Sequence, residues 1–332
     1  MNIELKKHYD FSYLTKKILD SDFTSDPFKH IYIEDFFSED HFNKILNTEE
    51  INSPKANNDE ELIQGLINKG FYPIEFPGCV TDIKKYINWH ENNKKTEIHS
   101  TCEGFGIALR LYKFQSNILN ELNEFLASEK FNKAIAKKFG VDFNSCVIDG
   151  GIQKYLDGYE ISPHPDIRKK AATFMVNINP SPESENMEHH THYLKFKKSH
   201  DYVRHFWSGN KHIDRAWVPW SWTESIKQQT KNNSIVVFSP SDDTIHGVKT
   251  NYNHLITQRT QLYGNLWYKT NPTTVKLEWN DLDLVNLKKL ERLPKKKNLN
   301  QKILAILPKS IKEKAKIILG RKNETKTGKR NI

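Results

Sequence analysis

From Val141 onward the chain consists of short segments rich in β-branched and aromatic residues, separated by turn residues. This texture predicts an all-β core. Helical patterns precede it, and helices before such a run predict packing on one outer face of a sandwich or barrel. The expected fold class is therefore α+β with a mainly β core, in a sandwich or barrel. The expected strands lie at 146–156, 171–179, 191–196, 234–238, 245–249 and 255–268.

The first 140 residues predict a supporting layer. Residues 30–37 look like a strand that enters a helix capped by Ser38, whereas 48–63 are polar and predict a loop or a weak helix. Apolar spacing predicts a helix from Ser116 to Ala127, and a second from Glu129 to Phe139 that ends at Gly140.

Three regions follow from this pattern: residues 1–140 as the supporting strand and helices, 141–270 as the core, and 271–332 as a basic tail. An aromatic insertion at about 200–225 interrupts the core, and Tyr202 to Trp222 carries four tryptophans. So aromatic a segment predicts a packed lid or substrate loop. Packing is the main role expected of the tryptophans, with stacking on a substrate for one or two.

The net charge of +9 belongs to the tail. Residues 288–332 hold 13 Lys and 3 Arg against 3 Glu, a net +13, which leaves −4 for residues 1–287. The tail alternates Ile and Leu with Lys and predicts a helix that packs on the body. Contact with an anionic membrane surface is the second interpretation. Nucleic-acid binding is disfavoured, because no aromatic residue lies among the lysines.

The remaining composition favours a cytoplasmic protein. Three cysteines at wide spacing (Cys79, Cys102, Cys146) indicate reduced thiols. The amino-terminal residues show no secretory signal, and no run approaches the roughly 18 apolar residues of a membrane span.

The sequence His164-Pro165-Asp166 carries the chemistry. Residues i and i+2 of a strand share a face, so an imidazole and a carboxylate would converge on one point. His246, which begins a later strand, would complete a two-histidine, one-carboxylate site for non-haem Fe(II). Arg259 follows after a turn-rich stretch, and two adjacent antiparallel strands would place its guanidinium behind the metal. There it suits the far carboxylate of a dicarboxylic acid.

This order of motifs resembles the 2-oxoglutarate/Fe(II)-dependent dioxygenases, nearest to the prolyl-4-hydroxylase-like branch. The resemblance covers roughly residues 145–268 and includes four further stretches. They are Gln153–Tyr159, Asp166–Lys170 with Thr173, Asn233–Phe238 and Arg259–Tyr263. It implies that the core is a double-stranded β-helix (jelly roll) with packing helices from the N-terminal part. It also implies iron at His164, Asp166 and His246, and 2-oxoglutarate at Arg259 with Tyr155. Gln261 and Thr257 share the strand parity of Arg259 and are weaker candidates.

The resemblance also implies the reaction. O₂ and 2-oxoglutarate would give succinate and CO₂ while a C–H bond is hydroxylated, with ascorbate as a further candidate cofactor. The substrate would be a peptide residue, an amino acid or a small metabolite. Two alternatives stay open: the same chemistry on a cell-surface glycan or lipid-linked precursor, and a non-catalytic metal-binding protein of this fold. A metalloprotease is disfavoured, since no H-E-x-x-H helix exists.

Two other features have a plainer interpretation. His189, His190 and His192 predict a solvated or substrate-facing strand, and a separate metal site is the second choice because no nearby Cys or Asp completes a shell. Arg215, beside Trp217, predicts a surface salt bridge, with a substrate anchor as the alternative.

Overall fold

The computed structural model describes residues 9–52, 55–75, 79–92 and 106–272. The helices within these ranges are α1 (Ser12–Asp20), α2 (Glu39–Leu46), α3 (Asp59–Asn68), α4 (Ile83–Glu91), α5 (Asn117–Leu126), α6 (Glu129–Phe139) and α7 (Tyr202–Gly209). The strands are β1 (Ile31–Ile33), β2 (Phe71–Pro73), β3 (Ala108–Leu111), β4 (Cys146–Tyr155), β5 (Glu160–His164), β6 (Lys170–Asn177), β7 (Thr191–Phe196), β8 (Thr223–Gln228), β9 (Ile235–Phe238), β10 (His246–Lys249) and β11 (Arg259–Tyr268).

The strands form two antiparallel sheets. The large sheet has the order β1-β9-β6-β11-β4-β3-β2, and the small sheet has the order β5-β10-β7-β8. From β4 onward the chain therefore passes back and forth between the sheets, as in a jelly roll. β1, β2 and β3 extend the large sheet at its two edges. The predicted mixed fold with a mainly β core is confirmed at this level.

The helices cover the outer face of the large sheet. Phe131 of α6 meets Phe174 of β6 edge to face, with ring centroids 5.5 Å apart. Leu262 and Leu266 of β11 belong to the same buried apolar cluster. Side chains alternate across a strand, so Tyr263 and Asn265, which have the opposite parity on β11, face the space between the sheets. One strand thus contributes to both the hydrophobic core and the cavity described below.

Local signals in the sequence correspond well to the helix ends. Ser38 caps α2 by accepting a hydrogen bond from the His41 N–H, and Gly140 ends α6 in the left-handed conformation at φ 70°. The polar stretch 48–63 was predicted to be a loop or a weak helix. The structure instead begins a ten-residue helix there, α3, which is capped by Asn58.

The predicted strand at 255–268 begins later than expected, at Arg259. The expected pairing of the His246 and Arg259 strands was wrong. β10 pairs with β5 and β7 in the small sheet, whereas β11 pairs with β4 and β6 in the large one. The turn-rich stretch between them crosses from one sheet to the other rather than forming a hairpin.

None of the helices in the described ranges has the length and apolar character needed to cross a membrane. Cys79 and Cys146 are free thiols. Cys102 and nearly all of the basic tail, residues 273–332, lie outside the described residues, so the predictions made for them stay predictions.

Two glycines offer a paired test of the packing. A Cβ added at Gly106 would lie 2.1 Å from the backbone of Tyr159, next to the strand that carries His164, whereas at Gly65 in α3 nothing lies within 4 Å. We expect Gly106→Ala to lower the free energy of unfolding by about 2 kcal/mol or more. Gly65→Ala should raise it by about 0.5–1 kcal/mol, because alanine favours the helix. Urea denaturation measures both changes. Equal changes in the free energy of unfolding for the two variants would contradict this packing.

Candidate metal centre and its cavity

A cavity of about 300 Å³ lies between the two sheets. Its wall contains side chains from both sheets and from the aromatic insertion. The metal ligands expected from the sequence, His164, Asp166 and His246, lie together in this wall, as do Tyr155, Arg259 and Gln261. The cavity therefore gathers six of the seven expected site residues.

The two histidines are neighbours because their strands pair. His164 ends β5, His246 begins β10, and the two are register partners with ring centroids 4.4 Å apart. The Nδ1 atom of His164 lies 2.8 Å from the Ser162 carbonyl, and that of His246 lies 3.0 Å from the Thr244 carbonyl. A carbonyl can only accept, so each Nδ1 carries the proton and donates it. Each Nε2 is left with a free lone pair for a metal.

Asp166 reaches the site in a different way from that predicted. It lies beyond the end of β5, in the left-handed conformation at φ 63°, so strand alternation does not explain its position. The bend turns its carboxylate towards the imidazoles. Its Oδ1 lies 3.5 Å from His164 Nε2, and its Oδ2 lies 3.9 Å from His246 Nε2. The Oδ2 atom is buried without a hydrogen-bond partner.

Electrostatics keep these groups in the forms that bind metal. Burial disfavours the charged carboxylate, but Lys170, whose Nζ lies 2.9 Å from Asp166 Oδ1, and His164 outweigh it and hold the pKa of Asp166 well below its usual range. Burial, together with the nearby His164, lowers the pKa of His246 to about 3. At neutral pH the site thus offers a carboxylate and a neutral imidazole.

The donor set fits a transition-metal ion. Two imidazole nitrogens and one carboxylate oxygen lie within 4.8 Å of one another, and all three residues are buried. The unpartnered Oδ2 atom is an acceptor that a cation would satisfy. Three protein ligands on one side leave the other coordination positions for small ligands, which is the arrangement of non-haem Fe(II).

Arg259 lies in the opposite wall, at the start of β11. Its Nη2 donates to Thr191 Oγ1 and Gln261 Oε1, each at 2.9 Å, and its guanidinium lies 4.6 Å from the centre of the Tyr155 ring. Nη1 is buried and has no partner. Across the described ranges no carboxylate is within ion-pair distance of this side chain. A buried guanidinium with a free donor and no counter-ion is a binding site for an anion.

The weaker candidates divide. Gln261 lies in the cavity wall and touches Arg259. Thr257 does not line the cavity; it precedes β11, so the parity argument for it was wrong. Tyr155 lines the wall beside Arg259, and burial raises the pKa of its phenol to about 12, which keeps it a neutral donor.

Sequence reasoning missed the rest of one row of side chains. Tyr263, Asn265 and Trp267 continue the alternation of Arg259 and Gln261 along β11 and line the same cavity. The period-2 pattern could have identified them. Lys170, in contrast, carries no signal in the sequence that points to Asp166.

Of the three neighbouring histidines only His192 lies on a strand, β7, so the prediction of a solvated strand was wrong for the other two, and the substrate-facing alternative stays a prediction. His189 and His190 are buried rather than solvated, and only His192 is half-buried. His189 packs against Tyr252 with ring centroids 4.8 Å apart, and His190 Nε2 donates to the Glu185 carbonyl. Neither metal-competent group found among the described residues includes them.

A second cluster of possible ligands, formed by Asp59, His90 and His254, lies outside this cavity. Its ring nitrogens are already occupied. His254 accepts from the Asp157 N–H at 3.0 Å and donates to Asp59 at 2.7 Å, and His90 lies between Asp59 at 2.6 Å and Asp157 at 3.1 Å. Burial opposes protonation of His90, but its hydrogen bonds to these carboxylates raise its pKa to about 9. We interpret the cluster as an ion-pair network.

Comparison with known proteins gives only distant similarities. No family model and no curated protein sequence matches the chain. Among solved structures, a prolyl-4-hydroxylase from Pseudomonas putida is 9% identical with a TM-score of 0.39, covering 78% of this chain and 98% of that one. A Phytophthora capsici prolyl 4-hydroxylase is 14% identical with a TM-score of 0.34, covering 87% and 77%. A 2-oxoglutarate/Fe(II) oxygenase family protein from Burkholderia pseudomallei is 9% identical with a TM-score of 0.30, covering 65% and 83%. Likenesses this low do not assign a function, which has to rest on the geometry.

The two ligand clusters predict opposite effects of two aspartate substitutions. Asp166→Ala removes the only carboxylate of the first cluster, so we expect it to weaken binding of Mn²⁺ or Fe²⁺ by about 100-fold or more. Asp59→Ala, the matched control in the ion-pair network, should leave metal affinity unchanged. Anaerobic titration calorimetry measures both. If metal binding were lost in Asp59→Ala and kept in Asp166→Ala, the metal would bind in the cluster of Asp59, His90 and His254, which would contradict this assignment.

Proposed function

We propose that this chain is an Fe(II)- and 2-oxoglutarate-dependent oxygenase that hydroxylates a C–H bond of a peptide residue, an amino acid or a small metabolite. One observation supports this above all. A metal-competent triad and an uncompensated guanidinium line one small cavity, on opposite sheets. A metal site alone needs no such arginine, and an arginine without a counter-ion is costly to bury.

His164, Asp166 and His246 would hold the iron. The backbone carbonyls of Ser162 and Thr244 fix the orientation of both imidazoles before the metal arrives, so the ligands need little rearrangement. Lys170 engages Asp166 Oδ1 and leaves Oδ2 as the free ligand atom. With iron and 2-oxoglutarate bound, the site would supply O₂ activation coupled to the release of succinate and CO₂.

Arg259 would bind the far carboxylate of 2-oxoglutarate. Thr191 and Gln261 hold its Nη2, which leaves Nη1 to donate to the co-substrate. The low-dielectric surroundings strengthen that charge-assisted bond. Tyr155 lies against the guanidinium face and limits the space beside it, so a short dicarboxylic acid is better suited to this end than a bulky group.

The rival hypothesis of a non-catalytic metal protein makes a different prediction. Release of succinate from 2-oxoglutarate with Fe(II), even without a substrate, supports the oxygenase. A chain that binds metal but never consumes 2-oxoglutarate would support the rival. The glycan or lipid-linked substrate proposed as an alternative depends on the tail, outside the described residues.

Removing the guanidinium should affect the co-substrate far more than the metal. We expect Arg259→Gln to raise the 2-oxoglutarate KM for succinate release by roughly 10- to 100-fold, the value of a buried charge-assisted hydrogen bond. Mn²⁺ affinity should stay within about twofold, because Arg259 does not touch the triad. Arg168→Gln is the matched control, since Arg168 is not in the cavity wall. An unchanged KM in Arg259→Gln would show that the co-substrate binds elsewhere.

A further inference from the structure

Arg215 is a second buried cation of the cavity wall, and its Nε has no hydrogen-bond partner among the described residues. Its side chain is 4% exposed, and its guanidinium makes no hydrogen bond to any side chain or backbone group in the part of the chain that is described. Nε is sealed from solvent without a partner. The nearest carboxylate, Asp242, is 3.8 Å from Nη1, beyond hydrogen-bond distance. The sequence-based prediction of a salt bridge is confirmed by this long ion pair, but its placement at the surface was wrong, because Arg215 is buried.

Asp242 is also shared. Its Oδ1 lies closer to Arg168, at 3.3 Å, than to Arg215. Arg168 in addition donates to the backbone carbonyls of Ile213 and Trp207. One carboxylate thus faces two guanidinium groups. Only the guanidinium of Arg168 is hydrogen-bonded through Nε, Nη1 and Nη2. Buried arginines in proteins are normally hydrogen-bonded on most of their donors. The lack of such bonds at Arg215 indicates that its guanidinium binds a ligand.

Within the insertion, the segment 214–218 that carries Arg215 is anchored at both of its ends to residues that flank the metal ligands His164 and Asp166. The Val218 N–H donates to the Pro163 carbonyl at 2.8 Å, and the Arg168 N–H donates to Asp214 Oδ1 at 2.8 Å. Residues 214–218 therefore run alongside His164 and Asp166. Two ordered anchors of this kind hold the guanidinium in place in advance of any ligand.

Trp217 provides an apolar surface next to the same site. Its ring centroid lies 6.3 Å from that of His164, and the residue is 37% exposed. The other tryptophans of the insertion pack instead: Trp207 is buried against Val203 and Val218, and Trp220 and Trp222 border that cluster. The aromatic insertion thus has a packed base, as expected, and one ring that faces the metal cavity.

The charge of the cavity wall points to the kind of ligand. Iron would contribute a charge of +2 and 2-oxoglutarate a charge of −2. Together they would leave the net charge of the cavity equal to that of its wall. That wall has two more cations than anions, and Asp242 next to it offsets part of the excess. The cations are Arg110, Lys170, Arg215 and Arg259, and the anions are Asp149 and Asp166.

From this geometry we infer that Arg215 binds an anionic group of the substrate, a carboxylate or a phosphate, while Trp217 contacts an apolar part of the same molecule. This inference rests on the proposed function, because it assigns the remaining part of the same cavity to the substrate. A cavity of about 300 Å³ restricts the part that enters to a small molecule or a single side chain. Neutral sugars and uncharged side chains are thereby disfavoured.

Anion binding can be measured without turnover and without knowing the substrate. The full chain is loaded with Mn²⁺ and N-oxalylglycine, an unreactive analogue of 2-oxoglutarate, and then titrated calorimetrically with acetate, inorganic phosphate or chloride. We expect saturable binding of acetate or phosphate that is at least about tenfold weaker in Arg215→Met. The acetate and phosphate arms distinguish the two anionic groups, and chloride reports non-specific binding. Absence of saturable binding, or equal binding in Arg215→Met, overturns the inference.

Two controls separate a ligand site from a structural role. Arg110→Met removes another cation of the wall and should leave the anion affinity within about twofold. A larger loss of affinity there than in Arg215→Met would assign the anion site to Arg110.

Thermal unfolding of the free protein gives an independent readout. Arg215→Met should melt at or above the wild-type temperature, because the long 3.8 Å ion pair with Asp242 offsets little of the cost of burying the charge that is removed. Arg168→Met should melt lower, because it loses its bonds to Asp242 and to the insertion. A clear destabilisation by Arg215→Met would indicate a structural ion pair with Asp242.

Repeating the titration in Arg259→Gln, without N-oxalylglycine, separates failure of this inference from failure of the proposed function. Retained acetate or phosphate binding in Arg259→Gln, together with no succinate release by the wild-type chain under any condition, would reject the oxygenase and keep the anion site. Succinate release together with no effect of Arg215→Met on anion binding would reject only the anion site.

Discussion

The pairing of β5 with β10 is the constraint on which the site depends. It places His164 directly opposite His246, on two strands that are remote in sequence. Each imidazole is then fixed by the carbonyl two residues before it, so both present Nε2 to the cavity. A shift of one residue in this register would turn one of the two rings to the other face of the small sheet and separate the two imidazoles. The fold thus determines the chemistry through strand register.

The cavity also shows how this fold retains unfavourable charges. Arg259 and Arg215 are buried with unpartnered nitrogen atoms, and Asp166 has an unpartnered carboxylate oxygen. Each of these lowers the stability of the free protein and is compensated when a ligand of opposite charge binds. The large buried cluster between the helices and the large sheet provides the stability that makes such a site tolerable. Charged groups with unpartnered atoms on one cavity wall are typical of a binding site for oppositely charged ligands.

The sequence predicted much of the site, but not always for the right reason. His164 and His246 lie together in the cavity, as the order of motifs predicted. Arg259 lies there too, although the expected pairing of its strand with that of His246 was wrong. Asp166 was identified by strand alternation, yet the structure places it beyond the strand through a left-handed bend that a two-residue pattern does not encode. The burial of Arg215 was missed because it results from contacts that anchor a distant insertion onto the segment from Pro163 to Arg168. Asp59 and His254 meet only in the folded chain, so no spacing rule could have joined them.

The most direct test of the central claim is the position of the metal. Crystals of the protein soaked anaerobically in Mn²⁺ and 2-oxoglutarate should show one anomalous scattering peak between the sheets, about 2.0–2.3 Å from the Nε2 atoms of His164 and His246 and from an Asp166 carboxylate oxygen. The far carboxylate of 2-oxoglutarate should lie within hydrogen-bond distance of Arg259. A peak among Asp59, His90 and His254 instead, or a co-substrate bound away from Arg259, would contradict the account.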